Sequence, residues 1–121
     1  MNPVAMLKAN HRATLFLIAA YMALIFFGSS VPGKDVPPEV GPRSSLLHVL
    51  EYSVLGFLLL PATGRLRYPV LIAIAIGGVY GITDELHQYF VPGRTCSLAD
   101  VSCDCLGAAA GALLPKMLGE R

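Results

Sequence analysis

The chain has 121 residues, enough for one domain. It is 55% hydrophobic and 14% charged, with a mean hydropathy of +0.62; an average soluble domain is roughly 45–50% apolar and about 25% charged. An ordinary soluble fold is excluded, since so small a domain cannot hide that much apolar surface, and a net charge of +1 leaves no nucleic-acid footprint.

Residues 13–31 hold no charge and supply the roughly 20 residues that a spanning helix needs. Lys8 and Arg12 precede them and Pro32-Gly33 ends them. A cleaved signal peptide shares this layout, but its apolar core is shorter, so the segment reads as a first span. Residues 33–43 follow as a loop broken by Pro37-Pro38 and Gly41-Pro42. Ser44 and Ser45 are good helix caps for the second span, residues 46–62. That span is apolar except for His48, Glu51, Tyr52 and Ser53 in its first two turns, with Pro61 and Gly64 at its end.

Arg65 and Arg67 mark a short turn before the third span, residues 69–90. Its apolar part stops at Thr83, and the helix is expected to continue through Asp84, Glu85, His87 and Gln88 to the Pro92-Gly93 break. The fourth span, residues 97–118, carries Asp100 and Asp104 in its first turns and is Ala/Gly/Leu-rich afterwards. Gly77 and Gly81, and Gly107 and Gly111, have the small-residue spacing that lets helices approach closely in lipid. It predicts tight packing of the third span on the fourth. Cys96, Cys103 and Cys105 form no disulfide framework and read as small packing residues rather than zinc ligands.

Charge sets the expected orientation, because cytoplasmic segments carry the excess of Lys and Arg. Lys8, Arg12, Arg65, Arg67, Lys116 and Arg121 share one side of a four-span chain; Lys34, Arg43 and Arg94 lie on the other, among several acids. The chain thus reads as all-α: a single-domain integral membrane bundle of four transmembrane helices over residues 1–121. Both termini are expected to be cytoplasmic, in the cell (inner or cytoplasmic) membrane.

In this topology three separate stretches place their expensive residues at the extracytoplasmic face. Ionisable groups within spans cost about 2.5–3.5 kcal/mol at a helix centre, are usually paired, and are functional candidates by default. Asp84 and Gln88, Asp100 and Asp104, and His48 and Tyr52 are each four apart, so each pair shares a helix face. Arg94 is the one cation between Asp84 and Asp104, and its planar fork suits a carboxylate or phosphate. The ligand-binding set is therefore His48, Tyr52, Asp84, Glu85, Gln88, Arg94, Asp100 and Asp104, and His48, Asp84, Glu85 and Asp100 are the acid–base candidates. An ion-pair network of Arg94 with Asp84 and Asp100, merely holding helix register, is the structural alternative. A divalent metal on His48, Asp84 and Asp100 is a minor alternative; no His-Glu-x-x-His motif is present, so no cofactor is assigned.

These motifs resemble the VanZ-like family of small polytopic membrane proteins, named for an accessory protein of teicoplanin resistance. The matching residues are His48, Tyr52, Leu55 and Gly56; Gly81, Asp84, Glu85 and Gln88; and Pro92-Gly93-Arg94, Asp100-Val101, Asp104 and Leu106-Gly107. The match spans roughly residues 15–115. The chain departs from the family pattern at Ser44-Ser45, where members often carry Asp-Lys, and at Asp104, where many have Asn. The resemblance implies a four-helix membrane protein. It also implies an outer-surface role, since glycopeptides act on cell-wall precursors there.

Three functions follow, in order. The first is a binding or modulating protein that engages a cell-envelope lipid or lipid-linked precursor, with Arg94 holding a phosphate. The second is an intramembrane enzyme, hydrolase-like and metal-assisted in one form, with Asp84 or Glu85 as base or ligand and His48 as acid–base partner. The third is a structural or assembly protein. Membrane lipids are the expected partners, nucleic acid is not, and four short helices leave room for a homo-oligomer or a membrane partner.

Overall fold

In the computed structural model, residues 2–40 and 44–119 are described. Gly41, Pro42, Arg43 and Arg121, used in the loop and charge readings, lie outside the described residues. The elements are α1 (Pro3–Ala9), α2 (His11–Ser29), a 3-10 turn (Gly33–Asp35), α3 (Ser44–Thr63), α4 (Pro69–Tyr89) and α5 (Leu98–Met117). The last four helices fall within about two residues of the four expected spans. Each has 19 to 21 residues and is long and apolar enough to cross a membrane. At 1.5 Å per residue they measure about 30 Å, the thickness of a bilayer's hydrocarbon core.

Local chemistry sets the boundaries. Asn2 caps α1 by accepting from the Ala5 N–H at 2.6 Å, with Pro3 in the first turn. Asn10 separates α1 from α2 and caps α2 by accepting from the Ala13 N–H at 3.1 Å. Helix α1 was not anticipated, because seven residues with one buried side chain, Val4, leave no periodic signal. Ser97 caps α5 by accepting from the Ala99 N–H at 3.1 Å. Pro61 does not end α3: the helix runs on to Thr63. In the last turn a proline removes only one backbone hydrogen bond, and the Thr63 hydroxyl ties the following turn to the Pro69 carbonyl at 2.9 Å.

The large apolar side chains point outward, as Phe16, Phe27, Leu71, Val79 and Leu106 do. In a bilayer that face meets lipid; the interior holds a core of Ile18, Ile25, Tyr52, Leu55 and Leu59 together with small and polar residues. Gly77 of α4 lies against Ala108 of α5, and Gly81 against Asp104, as the glycine spacing predicts. Gly107 and Gly111 do something else: they pack on α3, at Val49, Tyr52 and Ser53, while Gly56 of α3 meets the Ala108 backbone. The expected pairing of Gly107 and Gly111 with the third span is therefore corrected. Residues 104 and 108 and residues 107 and 111 form adjacent stripes of α5, so α5 is wedged between α3 and α4 and offers a small-residue stripe to each.

Helix α2 lies at the periphery. Its buried residues, Thr14, Ile18, Ile25 and Ser29, form one narrow stripe. Tyrosine hydroxyls attach it to its neighbours: Tyr21 donates to the Glu51 carbonyl at 2.7 Å, and Tyr80 donates to the Met22 carbonyl.

The ends of α2 and α4 meet the starts of α3 and α5 at one end of the bundle. Here the two longer connections touch: the Gly33 N–H donates to the Pro92 carbonyl at 2.8 Å, and Gly33 lies against Gly93 backbone to backbone. A Cβ on Gly33 would overlap the Gly93 backbone, and Gly93 has φ +75, a region that other residues enter with strain. Both glycines are therefore required by the junction itself.

Candidate functional site

His48 enters the interior from the first turn of α3 and is almost buried, at 8% exposure. Its Nδ1 lies 2.7 Å from Asp104 Oδ1, and its Nε2 lies 3.9 Å from Asp100 Oδ2. Asp100 and Asp104 stand one turn apart on α5, so both carboxylates turn toward the same imidazole. Asp104 is fully enclosed and Asp100 is partly open.

The helical spacing on α4 divides its polar residues. Asp84 and Gln88 share a face, with Gln88 Nε2 donating to Asp84 Oδ2 at 3.4 Å. Glu85 turns toward the start of α5, where its Oε2 accepts from the Ser97 N–H at 3.1 Å. His48, Glu85 and Asp100 each offer a ligand atom, and these atoms lie within 4.8 Å of one another. The set named from sequence had Asp84 in place of Glu85. Helix rotation explains the exchange: consecutive residues diverge by about 100°, so Asp84 and Glu85 cannot both face α5.

Among the described residues, four side-chain atoms in this region are buried without a hydrogen-bond partner: Tyr52 Oη, Asp84 Oδ1, Glu85 Oε1 and Asp104 Oδ2. Buried polar groups are normally paired, and an unsatisfied one costs about 1–3 kcal/mol, more when charged. Their concentration in one place is the main chemical feature of the interior.

Arg94 does not join the carboxylates. Its Nη1 donates to the Val31 carbonyl at 3.1 Å and reaches the Gly28 carbonyl at 3.5 Å, at the C-terminal end of α2. Free carbonyls and the helix dipole favour a cation there. Among the described residues the ion pairs are His48–Asp104 and His48–Asp100, so the alternative network of Arg94 with Asp84 and Asp100 does not form. His87 is also separate: it stacks on Phe26 with ring centroids 4.2 Å apart, and its Nε2 lies 2.8 Å from Ser30 Oγ.

Beside this cluster a cleft of about 610 Å³ lies between α2, α3 and residues 36–40. Ile25, Leu47, Leu50 and Val54 supply apolar wall, and Leu47, Leu50 and Val54 are also exposed on the outer surface of α3. Ser29, His48, Glu51, Asp84, Gln88 and Arg94 supply the polar lining. Ser29 and Glu51 were absent from the sequence-derived set. Glu51 had a signal, lying three residues from His48 on α3, whereas Ser29 sits among apolar residues and had none. Tyr52 is fully buried and does not line the cleft; its ring centroid is 6.3 Å from that of Tyr80. Of His48, Glu85, Asp100 and Asp104, His48 is the one that also lines the cleft.

Four long apolar helices, with their buried ionisable residues gathered at one end, define a multi-pass membrane protein. A family model described as VanZ/LLP1 matches residues 14–119, and the chain belongs to that family. No curated protein and no solved structure matches it.

Proposed function

We propose that this VanZ/LLP1-family protein binds the headgroup of a cell-envelope lipid or lipid-linked precursor, at the outer face of the cell membrane. The observation that carries this reading is the composition of the cleft. An apolar wall continuous with the lipid-facing side of α3 runs up to a polar lining that ends at Arg94. Ligand sites combine a mostly apolar surface with a few convergent polar groups in this way. An acyl chain suits Leu50 and Val54. A phosphate-bearing headgroup suits Arg94, whose guanidinium has donors beyond those used on the carbonyls of Gly28 and Val31.

The outward orientation rests on the distribution of Lys and Arg. Lys8, Arg12, Arg65, Arg67 and Lys116 all lie at the end opposite the cleft. In a cysteine-free background, single cysteines at Ser44 or Thr95 are expected to react with an impermeant maleimide applied to intact cells. A cysteine at Arg65 is expected to react only after permeabilisation. The reverse pattern removes the proposed site from the outer surface.

Protein purified in mild detergent is expected to retain phosphate-bearing lipid detectable by mass spectrometry. Arg94→Ala is expected to lower that retention about tenfold, the loss of a charge-assisted contact of about 1.4 kcal/mol. Equal lipid profiles in the two proteins would count against the reading.

A further inference from the structure

We infer that His48, Glu85 and Asp100 bind one divalent cation of the zinc class, at the polar end of the bundle beside the cleft. This site uses donors from α3, α4 and α5, and it does not depend on what the cleft holds.

The donor set is one imidazole nitrogen and two carboxylates, all within 4.8 Å of one another. Donors each about 2.1 Å from a common ion stand roughly 3–4 Å apart. The 3.9 Å between His48 Nε2 and Asp100 Oδ2 fits that spacing and is too long for a hydrogen bond. Asp104 completes the arrangement from behind. Its Oδ1, at 2.7 Å from His48 Nδ1, holds the ring so that Nε2 is turned to the Asp100 carboxylate. A carboxylate behind a histidine in this manner fixes the tautomer and raises the basicity of the ligating nitrogen.

A second observation is independent of the clustering. Glu85 is only 2% exposed, and its Oε1 has no hydrogen-bond partner, although Oε2 is anchored by the Ser97 N–H. One oxygen is held while the other is buried without a partner among the described residues, on a carboxylate whose ligand atom lies within 4.8 Å of those of His48 and Asp100. Among the described residues the surrounding charge is also one-sided. Glu85, Asp100 and Asp104 meet a single imidazole, Asp84 lies nearby on α4, and Arg94 is engaged with backbone carbonyls. Several carboxylates in a low-dielectric end of a bundle repel one another, and a dication offsets that repulsion directly. The mix of one nitrogen and two oxygen donors suits zinc better than magnesium or calcium, which favour all-oxygen shells. Three protein ligands leave a fourth position, next to the partly open Asp100, for water or a ligand oxygen.

The test is metal binding by the full chain, purified without a polyhistidine tag, stripped with chelator and titrated by calorimetry with Zn²⁺, Mn²⁺, Mg²⁺ and Ca²⁺. One Zn²⁺ per chain is expected, with Mg²⁺ and Ca²⁺ at least tenfold weaker. Asp100→Asn, at a partly open position where folding is least disturbed, and Glu85→Gln are each expected to weaken Zn²⁺ at least tenfold. The triple change Cys96→Ser, Cys103→Ser and Cys105→Ser is expected to leave it within twofold. No stoichiometric Zn²⁺ in the wild type would overturn the inference, as would Zn²⁺ binding that survives Asp100→Asn and Glu85→Gln together. Binding lost with the three thiols would overturn it as well. Lipid retention is read on other samples by mass spectrometry, so failure of either reading is seen separately.

Discussion

Gly111→Ala is expected to destabilise the protein by about 2–3 kcal/mol, although it adds one methyl group in a helix. A Cβ at this position would overlap the Ser53 carbonyl of α3 and crowd the Phe57 amide. The obstruction is backbone, so no rotamer change relieves it, and α3 and α5 must separate along their closest seam. Overpacking of this kind typically costs about 1–3 kcal/mol, and separation also loosens Gly56 and Gly107 on the same seam. Gly28→Ala is the matched control: nothing lies within 4 Å of its new methyl group, and alanine is the better helix former. It is expected to be neutral or slightly stabilising. Unfolding in mixed micelles, followed by circular dichroism, measures both. Equal effects at the two sites would show that the seam is not tightly packed.

His48→Ala is expected to cost about 3–5 kcal/mol, the usual penalty for removing one partner of a buried charged pair. Asp104 is fully enclosed beneath Gly81 and holds its one hydrogen bond to His48. Truncating the imidazole leaves a carboxylate with neither oxygen satisfied. Adding Asp104→Asn removes the charge while keeping the shape, so the double variant is expected to recover about half of the loss or more. The experiment is a double-mutant cycle of unfolding free energies in the presence of chelator, which keeps metal out of the comparison. Additivity of the two changes within about 0.5 kcal/mol would mean that the residues are not coupled.

The spans were legible because each is a continuous apolar run of membrane length, closed by Pro, Gly or basic residues. The gathering of ionisable groups at one end was legible for a related reason: alternating helix direction carries the start of α3, the end of α4 and the start of α5 to the same level. Helical spacing also placed Asp100 beside Asp104 and Asp84 beside Gln88. What spacing does not contain is the rotation of each helix against its neighbours. That rotation decides that Glu85 rather than Asp84 meets His48 and Asp100, and that Gly107 and Gly111 face α3. The partners of Arg94 were hidden for another reason. Its loop passes close to the exposed carbonyls at the end of α2, and a flexible cation satisfies those before it reaches an enclosed carboxylate. The short helix α1 lies below the length at which periodicity is readable.

The contact between Gly33 and Gly93 bears on how far the two longer connections can move. They are stitched together by the Gly33–Pro92 hydrogen bond, and their backbones meet with no room for a Cβ on Gly33. Neither connection can shift without carrying the other. A bulkier residue at Gly33 would uncouple the link between α2 and α3 from the link between α4 and α5.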